Sequence, residues 1–237
     1  MEHNDYLVKK YPNKIKNMLN ISVFSSTLLS IIVQFTIGIV SIYGLTIELR
    51  ERDMILKEIL IMETIVQIIE LIFYIYLLYV PLLNMASVRY FDWIITTPTM
   101  LLTIIMYFEY KQKNKNTRFL DFIKTNYKNI ILIFICNWCM LAIGYLGETG
   151  KINYTISTLA GFIFFIINFH YIYVTYALPS QELYLYTFVL VIWSLYGFAA
   201  LLNPVMKNNI VNILDIFSKN ILGLFIYYQI TQHRLEK

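Results

Sequence analysis

Charged residues are scarce in this sequence. They make up 14 % of its 237 residues, whereas a soluble domain carries roughly 25 %. Apolar residues reach 58 % and the mean hydropathy is +0.60. These values exclude an ordinary soluble domain and indicate a membrane protein, whose first partner is the lipid bilayer.

Cysteine is equally scarce. The only two, Cys136 and Cys139, lie three residues apart within one apolar segment. That spacing suits neither a disulfide between helices nor a complete metal site, so we expect no metal centre.

We also expect no cleavable signal peptide. Residues 1–20 are polar and contain four lysines, and the apolar run that follows is too long for the core of a signal peptide. We expect this segment to lie as a short interfacial helix or as an exposed tail.

What the chain has in abundance is long apolar runs. Seven runs of about 20 residues, each long enough to cross a membrane as a helix, are separated by short polar breaks. Short connections make neighbouring helices antiparallel, so residues 21–230 are expected to form one domain, followed by a tail at 231–237. The predicted fold is an all-α seven-transmembrane helix bundle. Its predicted spans are 21–47, 54–83, 87–108, 126–146, 154–177, 183–202 and 210–230.

Basic residues predict the orientation of this bundle. The connection between the third and fourth spans is the most basic, and Arg50, Arg52 and Lys57 add charge to the first connection. Since cytoplasmic loops are enriched in lysine and arginine, we expect an extracellular N-terminus and a cytoplasmic C-terminus, although the N-terminal lysines oppose this weakly. The expected location is the plasma membrane of the host or expressing cell. The basic loops account for the net charge of +4, so no nucleic-acid partner is expected, whereas a homo-oligomer remains open.

Two charged residues interrupt the last apolar run. Asp215 and Lys219 lie four residues apart, on one face of any helix that forms there. Charges inside a bilayer are costly and are usually paired or functional. The pair is therefore either an ion pair that only fixes helix packing or part of a functional site.

A second group of unusual residues lies in the third span. Arg89, Asp92, Trp93 and Thr96 are spaced by three or four residues and share one helical face, ahead of Pro98. An arginine, an aspartate and a threonine on one side of a membrane helix require partners inside the bundle.

These residues carry a resemblance to a known family. The segment Arg-Tyr-x-Asp-Trp-x-x-Thr-Thr-Pro at 89–98 and the pattern Asp-x-x-x-Lys at 215–219 resemble the third and seventh helices of the microbial (type 1) rhodopsins. Further similarity occurs in the fourth, fifth and sixth spans, at Asn137, Met140 and Gly144, at Ser157 and Thr158, and at Trp193 and Tyr196. The first two spans are similar only as apolar helices.

The resemblance implies that Lys219 binds all-trans retinal as a Schiff base. A lysine amine in an apolar bundle can lose its proton and attack an aldehyde, which agrees with this implication. By resemblance, Asp92 and Asp215 are counterions, Thr96 orients the Asp92 carboxylate, and Arg89 lies on the extracellular side. The implied retinal pocket consists of Trp93, Met140, Gly144, Ser157, Thr158, Trp193 and Tyr196, and Thr97 with Asn137 resembles a pair that sets gating speed in light-gated channels.

The sequence departs from the pattern of outward proton pumps. Thr103 stands where such pumps usually carry a proton-donating carboxylate, and Lys207 and two asparagines stand where a proton-releasing carboxylate is usual. Asp92 is retained, which disfavours a chloride pump.

Polar stripes mark three other spans. The second span carries Glu63, Gln67 and Glu70 on one face, and the first carries Ser26 and Ser30. Together with Asn212 and Arg89, these residues are interpreted as an ion pathway, because polar residues inside a membrane commonly line a water-filled cavity. The serines alone could serve only helix packing.

The pattern most resembles channelrhodopsin-like members and the viral group 1 rhodopsins. The expected function is a light-gated cation channel and not an enzyme. The alternatives are a slow outward proton pump, reprotonated from the cytoplasm or through a glutamate of the second span, and a sensory receptor that acts through a transducer.

Overall fold

Seven long helices form the bundle. The computed structural model describes residues 12–113 and 118–235, with side chains from 21 to 112 and from 118 to 235. The described residues contain no β-strand, and one antiparallel bridge joins Leu49 to Arg234. All seven helices are long and apolar enough to cross a membrane, which confirms the predicted fold. Their bounds are α1 Pro12–Leu45, α2 Met54–Leu77, α3 Leu82–Lys113, α4 Phe119–Glu148, α5 Tyr154–Ser180, α6 Leu183–Ala200 and α7 Pro204–Gln232.

Helix ends are set by local capping, and they correct several predicted bounds. The predicted break at 203–209 is wrong, because α7 already begins at Pro204. The side chain of Asn203 accepts a hydrogen bond from the backbone N–H of Met206 at 3.0 Å, and proline suits the first helical turn because no N–H is needed there. Likewise α3 extends to Lys113, so the connection to α4 is shorter than predicted.

Two helices contain a π-helical turn. One lies at Tyr173–Ala177 in α5, and the other lies at Ile216–Asn220 in α7. Such turns are rare and are frequently found at functional sites. The second of them contains Lys219.

The third and seventh helices occupy the centre of the bundle. α7 packs against α1, α2, α3 and α6, and α3 is the most buried of the seven, followed by α7. Outward faces carry exposed apolar side chains such as Ile72 and Ile163, and a bilayer would cover such a surface. The buried faces of α3 and α7 therefore hold the polar residues of the sequence motifs.

The two ends of the bundle differ in charge. We call "the basic end" the end at which α1, α3, α5 and α7 finish, with the connections at 46–53 and 181–182. The other end, formed by the connections at 78–81, 149–153 and 201–203, is called "the opposite end". Parts of the predicted terminal segments, residues 1–11 and 236–237, lie outside the described residues, and α1 already includes residues 12–20.

The excess of arginine and lysine predicts that the basic end faces the cytoplasm. Lys151→Cys, in an exposed position at the opposite end, should react with a membrane-impermeant maleimide in intact cells. Glu51→Cys, at the basic end with a side chain 85 % exposed, should react only after permeabilisation. The reversed labelling pattern would show the inverted orientation, and the unmodified chain measures the background from its two native cysteines.

Candidate functional site

Lys219 is the centre of the site. Its side chain is only 2 % exposed, and its Nζ donates a hydrogen bond to Asp92 Oδ2 at 2.7 Å. The same nitrogen lies 3.1 Å from Glu70 Oε1 and 3.8 Å from Asp215 Oδ1. The structure thus brings together the two predicted aspartates, and it adds a third carboxylate that sequence reasoning had assigned to the ion pathway.

Asp215 is held by donors from three other helices. Its Oδ2 accepts hydrogen bonds from the Tyr74 hydroxyl at 2.5 Å and from Arg89 Nη1 at 3.1 Å, and its Oδ1 accepts one from the Tyr196 hydroxyl at 2.6 Å. Asp215 is therefore fixed in position beside Lys219 by partners on three helices.

Asp92 is held far more loosely. Its Oδ2 receives Lys219, whereas its Oδ1 has no hydrogen-bond partner among the described residues. The predicted role of Thr96 is not seen in the structure, because its hydroxyl donates to the main-chain carbonyl of Asp92 at 3.0 Å and not to the carboxylate. A threonine in a helix readily bonds the carbonyl four residues earlier, and this local acceptor takes the hydroxyl.

Charges do not balance at this centre. Two cations, Lys219 and Arg89, lie among three buried carboxylates, those of Glu70, Asp92 and Asp215. If all five groups are ionised, the formal charge is one negative unit. Because water cannot screen charge in a dry interior, such a centre attracts a proton or a further cation.

A large apolar cavity opens beside Lys219. Its lining is mostly apolar and aromatic, as is usual for small-molecule sites. It is lined by all the residues of the predicted pocket, namely Trp93, Met140, Gly144, Ser157, Thr158, Trp193, Tyr196 and Lys219, and also by Thr97.

Further aromatic and glycine residues complete this cavity, and sequence reasoning missed them. Tyr90, Gly161, Phe162, Phe165 and Gly197 also line it. A Cβ atom on Gly197 would collide with the Phe162 ring, so the glycine leaves room for that ring between α5 and α6. An aromatic residue in an apolar helix gives no sequence signal that separates a cavity wall from ordinary packing.

The predicted gating pair is in contact. Asn137 Nδ2 donates to Thr97 Oγ1 at 2.7 Å, and the Thr97 hydroxyl in turn donates to the Trp93 carbonyl at 2.7 Å. The pair links α4 to α3 at the wall of the cavity.

Between Lys219 and the opposite end, Asn212 joins three helices. Arg89 Nη2 donates to Asn212 Oδ1, and Asn212 Nδ2 donates to Ser26 Oγ at 2.7 Å and to Thr27 Oγ1 at 3.0 Å. Ser30 Oγ donates to the Asn212 main-chain carbonyl at 2.9 Å. The predicted pathway residues of α1, α3 and α7 therefore form a closed hydrogen-bonded network on this side.

Polar groups on the other side of Lys219, toward the basic end, lack partners. The Thr103 hydroxyl donates to Glu63 Oε1, but Glu63 Oε2 has no partner among the described side chains. The same is true of polar atoms of the buried Ser41, Gln67 and Tyr107, while toward the opposite end Arg89 Nε and Asn208 Oδ1 also lack partners. Buried polar atoms are normally hydrogen-bonded to protein or to ordered water, so this side is a candidate for hydration.

A cluster at the opposite end was not predicted. Lys207 Nζ lies 3.1 Å and 2.9 Å from the two carboxylate oxygens of Glu148, and it lies 2.8 Å from the Tyr154 hydroxyl. That hydroxyl also donates to the Ala200 carbonyl at 2.5 Å. The cluster therefore ties together α4, α5, α6 and α7. Sequence could not reveal it, because its members lie at the ends of four separate helices.

Lys207→Met should destabilise the protein, because it leaves Glu148 without its cation. The side chains of the pair are 11 % and 12 % exposed, so the cost should lie between about 1 kcal/mol for an exposed pair and about 3–5 kcal/mol for a buried one. Thermal unfolding of the purified protein measures the change. The exposed Lys151→Met is the control, and an equal midpoint for both variants would contradict the prediction.

Comparisons with known proteins agree with this architecture. A family model described as bacteriorhodopsin-like protein matches residues 23–233. No curated protein matches the chain by sequence. Among solved structures, the viral rhodopsin OLPVRII is 27 % identical with a TM-score of 0.79, over 89 % of this chain and 98 % of that chain. The rhodopsin of Exiguobacterium sibiricum is 15 % identical with a TM-score of 0.73, over 92 % and 98 % of the two chains. The bromide-bound halorhodopsin of Halobacterium salinarum is 15 % identical with a TM-score of 0.70, over 92 % and 97 %.

Proposed function

The chain belongs to the bacteriorhodopsin-like family of microbial rhodopsins, whose members generally bind retinal through a lysine, and from that premise we propose that it is a light-gated cation channel. In this proposal Lys219 carries all-trans retinal. The basic end faces the cytoplasm, and the opposite end faces the outside.

The residues around Lys219 fit such a group. The cavity is mostly apolar and aromatic, and a buried amine projects at its wall, as an apolar aldehyde requires. Trp93, Trp193 and Phe162 offer aromatic surface, while Ser157 and Thr158 bring hydroxyl-bearing residues to the cavity wall. Bound there, retinal supplies light absorption and a change of shape on illumination.

In the proposed mechanism, the first step carried out by the protein's own residues is the transfer of a proton from the Lys219 nitrogen. Asp92 Oδ2 is its nearest acceptor, at 2.7 Å, and Asp92 has few other donors. Asp215 lies farther from this nitrogen, at 3.8 Å, and already accepts hydrogen bonds from three other donors. A proton that moves to Asp92 leaves Arg89 as the remaining cation of the centre.

Loss of positive charge at Lys219 then affects the network around Arg89. Arg89 bonds both Asp215 and Asn212, so a change in the charge around Asp215 acts directly on the contact that closes the outer side. Release of Asn212 separates α1 from α7, where Ser26 and Ser30 are bonded to it. A route lined by Glu63, Gln67 and Glu70 favours cations over anions, as acidic pores do.

The observation that carries the proposal is the contrast between the two sides of Lys219. The outer polar residues are joined by hydrogen bonds at Asn212, with only Arg89 Nε and Asn208 Oδ1 left without partners, whereas both side-chain polar atoms of Gln67 and the hydroxyls of Ser41 and Tyr107 on the inner side have none among the described residues. In the proposed channel, light therefore has to open only the hydrogen-bonded barrier at Asn212 to connect the water on the two sides of Lys219.

The proposed function predicts a photocurrent whose direction reverses with the cation gradient in whole-cell recordings under illumination. Lys219→Ala should abolish the current and the visible absorbance together, because the attachment point of the chromophore is lost. A current of one direction at every voltage would contradict the channel.

That contrary result would favour an outward proton pump. One contact supports this second candidate: the Thr103 hydroxyl donates to Glu63, so α2 supplies a carboxylate at the position of α3 where a pump would carry its proton donor. In that case light should acidify the medium, and a protonophore should abolish the acidification.

Asn212→Ala should produce a cation current in the dark, because it removes the side chain that joins α1, α3 and α7. Whole-cell recording without illumination measures this leak. Asn129→Ala is the matched control, since Asn129 bonds Tyr171 and Tyr176 on α5, away from the pathway. A dark current no larger than that of the control would show that Asn212 does not close the route.

A further inference from the structure

Gly223 marks a close approach of three helices between Lys219 and the basic end. It lies four residues after Lys219 on α7. A Cβ atom built at Gly223 would collide with Gln67 Nε2 of α2, and it would lie 3.6 Å from Ser41 Oγ of α1. The missing side chain is therefore what lets the polar groups of α1 and α2 reach the backbone of α7.

The polar atoms at this approach have no partners. Both amide atoms of Gln67 and the hydroxyl of Ser41 are buried without a hydrogen bond among the described residues. Hydroxyls in membrane helices usually bond the carbonyl four residues earlier, as Thr27 and Thr64 do here. Ser41 makes no such bond, so its hydroxyl oxygen can bind a group outside its own helix.

Carboxylates flank this position on α2. Glu63 lies four residues before Gln67 and Glu70 lies three residues after it, so the amide stands between two acidic groups on one helical face. Neutral oxygens can replace part of the water shell of a cation, and nearby acids make the position favourable for positive charge without binding the ion tightly.

We propose that Ser41, Gln67 and Gly223 form the narrowest part of the cation route toward the cytoplasm. Gln67 Oε1 and Ser41 Oγ bind the passing cation in place of lost water, and the absence of a side chain at Gly223 sets the width. This inference rests on the proposed channel function.

The same residues could be a plain packing contact, and the two roles differ in their consequences. A packing contact predicts that filling the space at Gly223 lowers stability and leaves ion selectivity unchanged. A route predicts that the added methyl group blocks the current, and that removal of the Gln67 side chain makes room again.

The test compares light-induced currents of Gly223→Ala, Gln67→Ala and the double variant in whole-cell recordings. Each is normalised to visible absorbance, which reports folded and loaded protein. Gly223→Ala should lower the current roughly tenfold, because the methyl group forces Gln67 into the route. The double variant should regain at least about half of the current, since the space that Gly223→Ala fills is emptied by Gln67→Ala. Gly38→Ala on α1 is the matched control, because no atom lies within 4 Å of a Cβ atom there.

Ser41→Ala supplies a second measurement that does not depend on overpacking. It removes one proposed ligand and adds no bulk, so the permeability ratio of sodium to potassium should change by about twofold or more under bi-ionic conditions. An unchanged ratio, a Gly223→Ala current equal to that of Gly38→Ala, or a double variant that stays blocked would each overturn the inference while the channel stands. Absence of a reversing photocurrent in the unmodified protein would instead overturn the proposed function itself.

Discussion

The buried amine of Lys219, held among three carboxylates from three helices, is the interaction on which the rest of the structure depends. A single ion pair would satisfy one lysine, but here Glu70, Asp92 and Asp215 all approach it. Burial makes every charge in this group sensitive to the others, so a change in one bond alters the forces on Arg89 and, through it, on α1. The centre is therefore a junction between the apolar cavity and the helix contacts.

The two aspartates differ because their surroundings differ. Asp215 is fixed by two tyrosines and an arginine, whereas Asp92 depends mainly on Lys219. Identical carboxyl groups thereby have different freedom: three helices fix Asp215, whereas one oxygen of Asp92 has no partner among the described residues. Along the bundle axis, hydrogen bonds join α1, α3 and α7 at Asn212 on one side of Lys219, and the side-chain polar atoms of Gln67 and Ser41 lack partners on the other.

Sequence spacing predicted that Asp215 and Lys219 share a helical face, and the resemblance to the microbial rhodopsins implied that Asp92 joins them. Spacing could not predict that Glu70 reaches Lys219. The axial offset between two neighbouring helices depends on how their side chains pack, and residue spacing within one helix does not determine it. The start of α7 was also missed, since the polar residues after Asn203 look like a loop unless the asparagine–proline cap is recognised. The cluster of Lys207 and Glu148 joins helix ends that are distant in the sequence, and no local sequence pattern predicts it.

Tyr154 contributes both to the cavity and to the cluster at the opposite end. Its ring lines the cavity, and its hydroxyl lies in the cluster of Lys207 and Glu148 at the opposite end. In the proposed function, the colour of a chromophore in that cavity depends on the electric field around it, and part of this field comes from the cluster of Lys207 and Glu148. On that proposal, the acidity and salt content of the medium at the opposite end become inputs to light absorption.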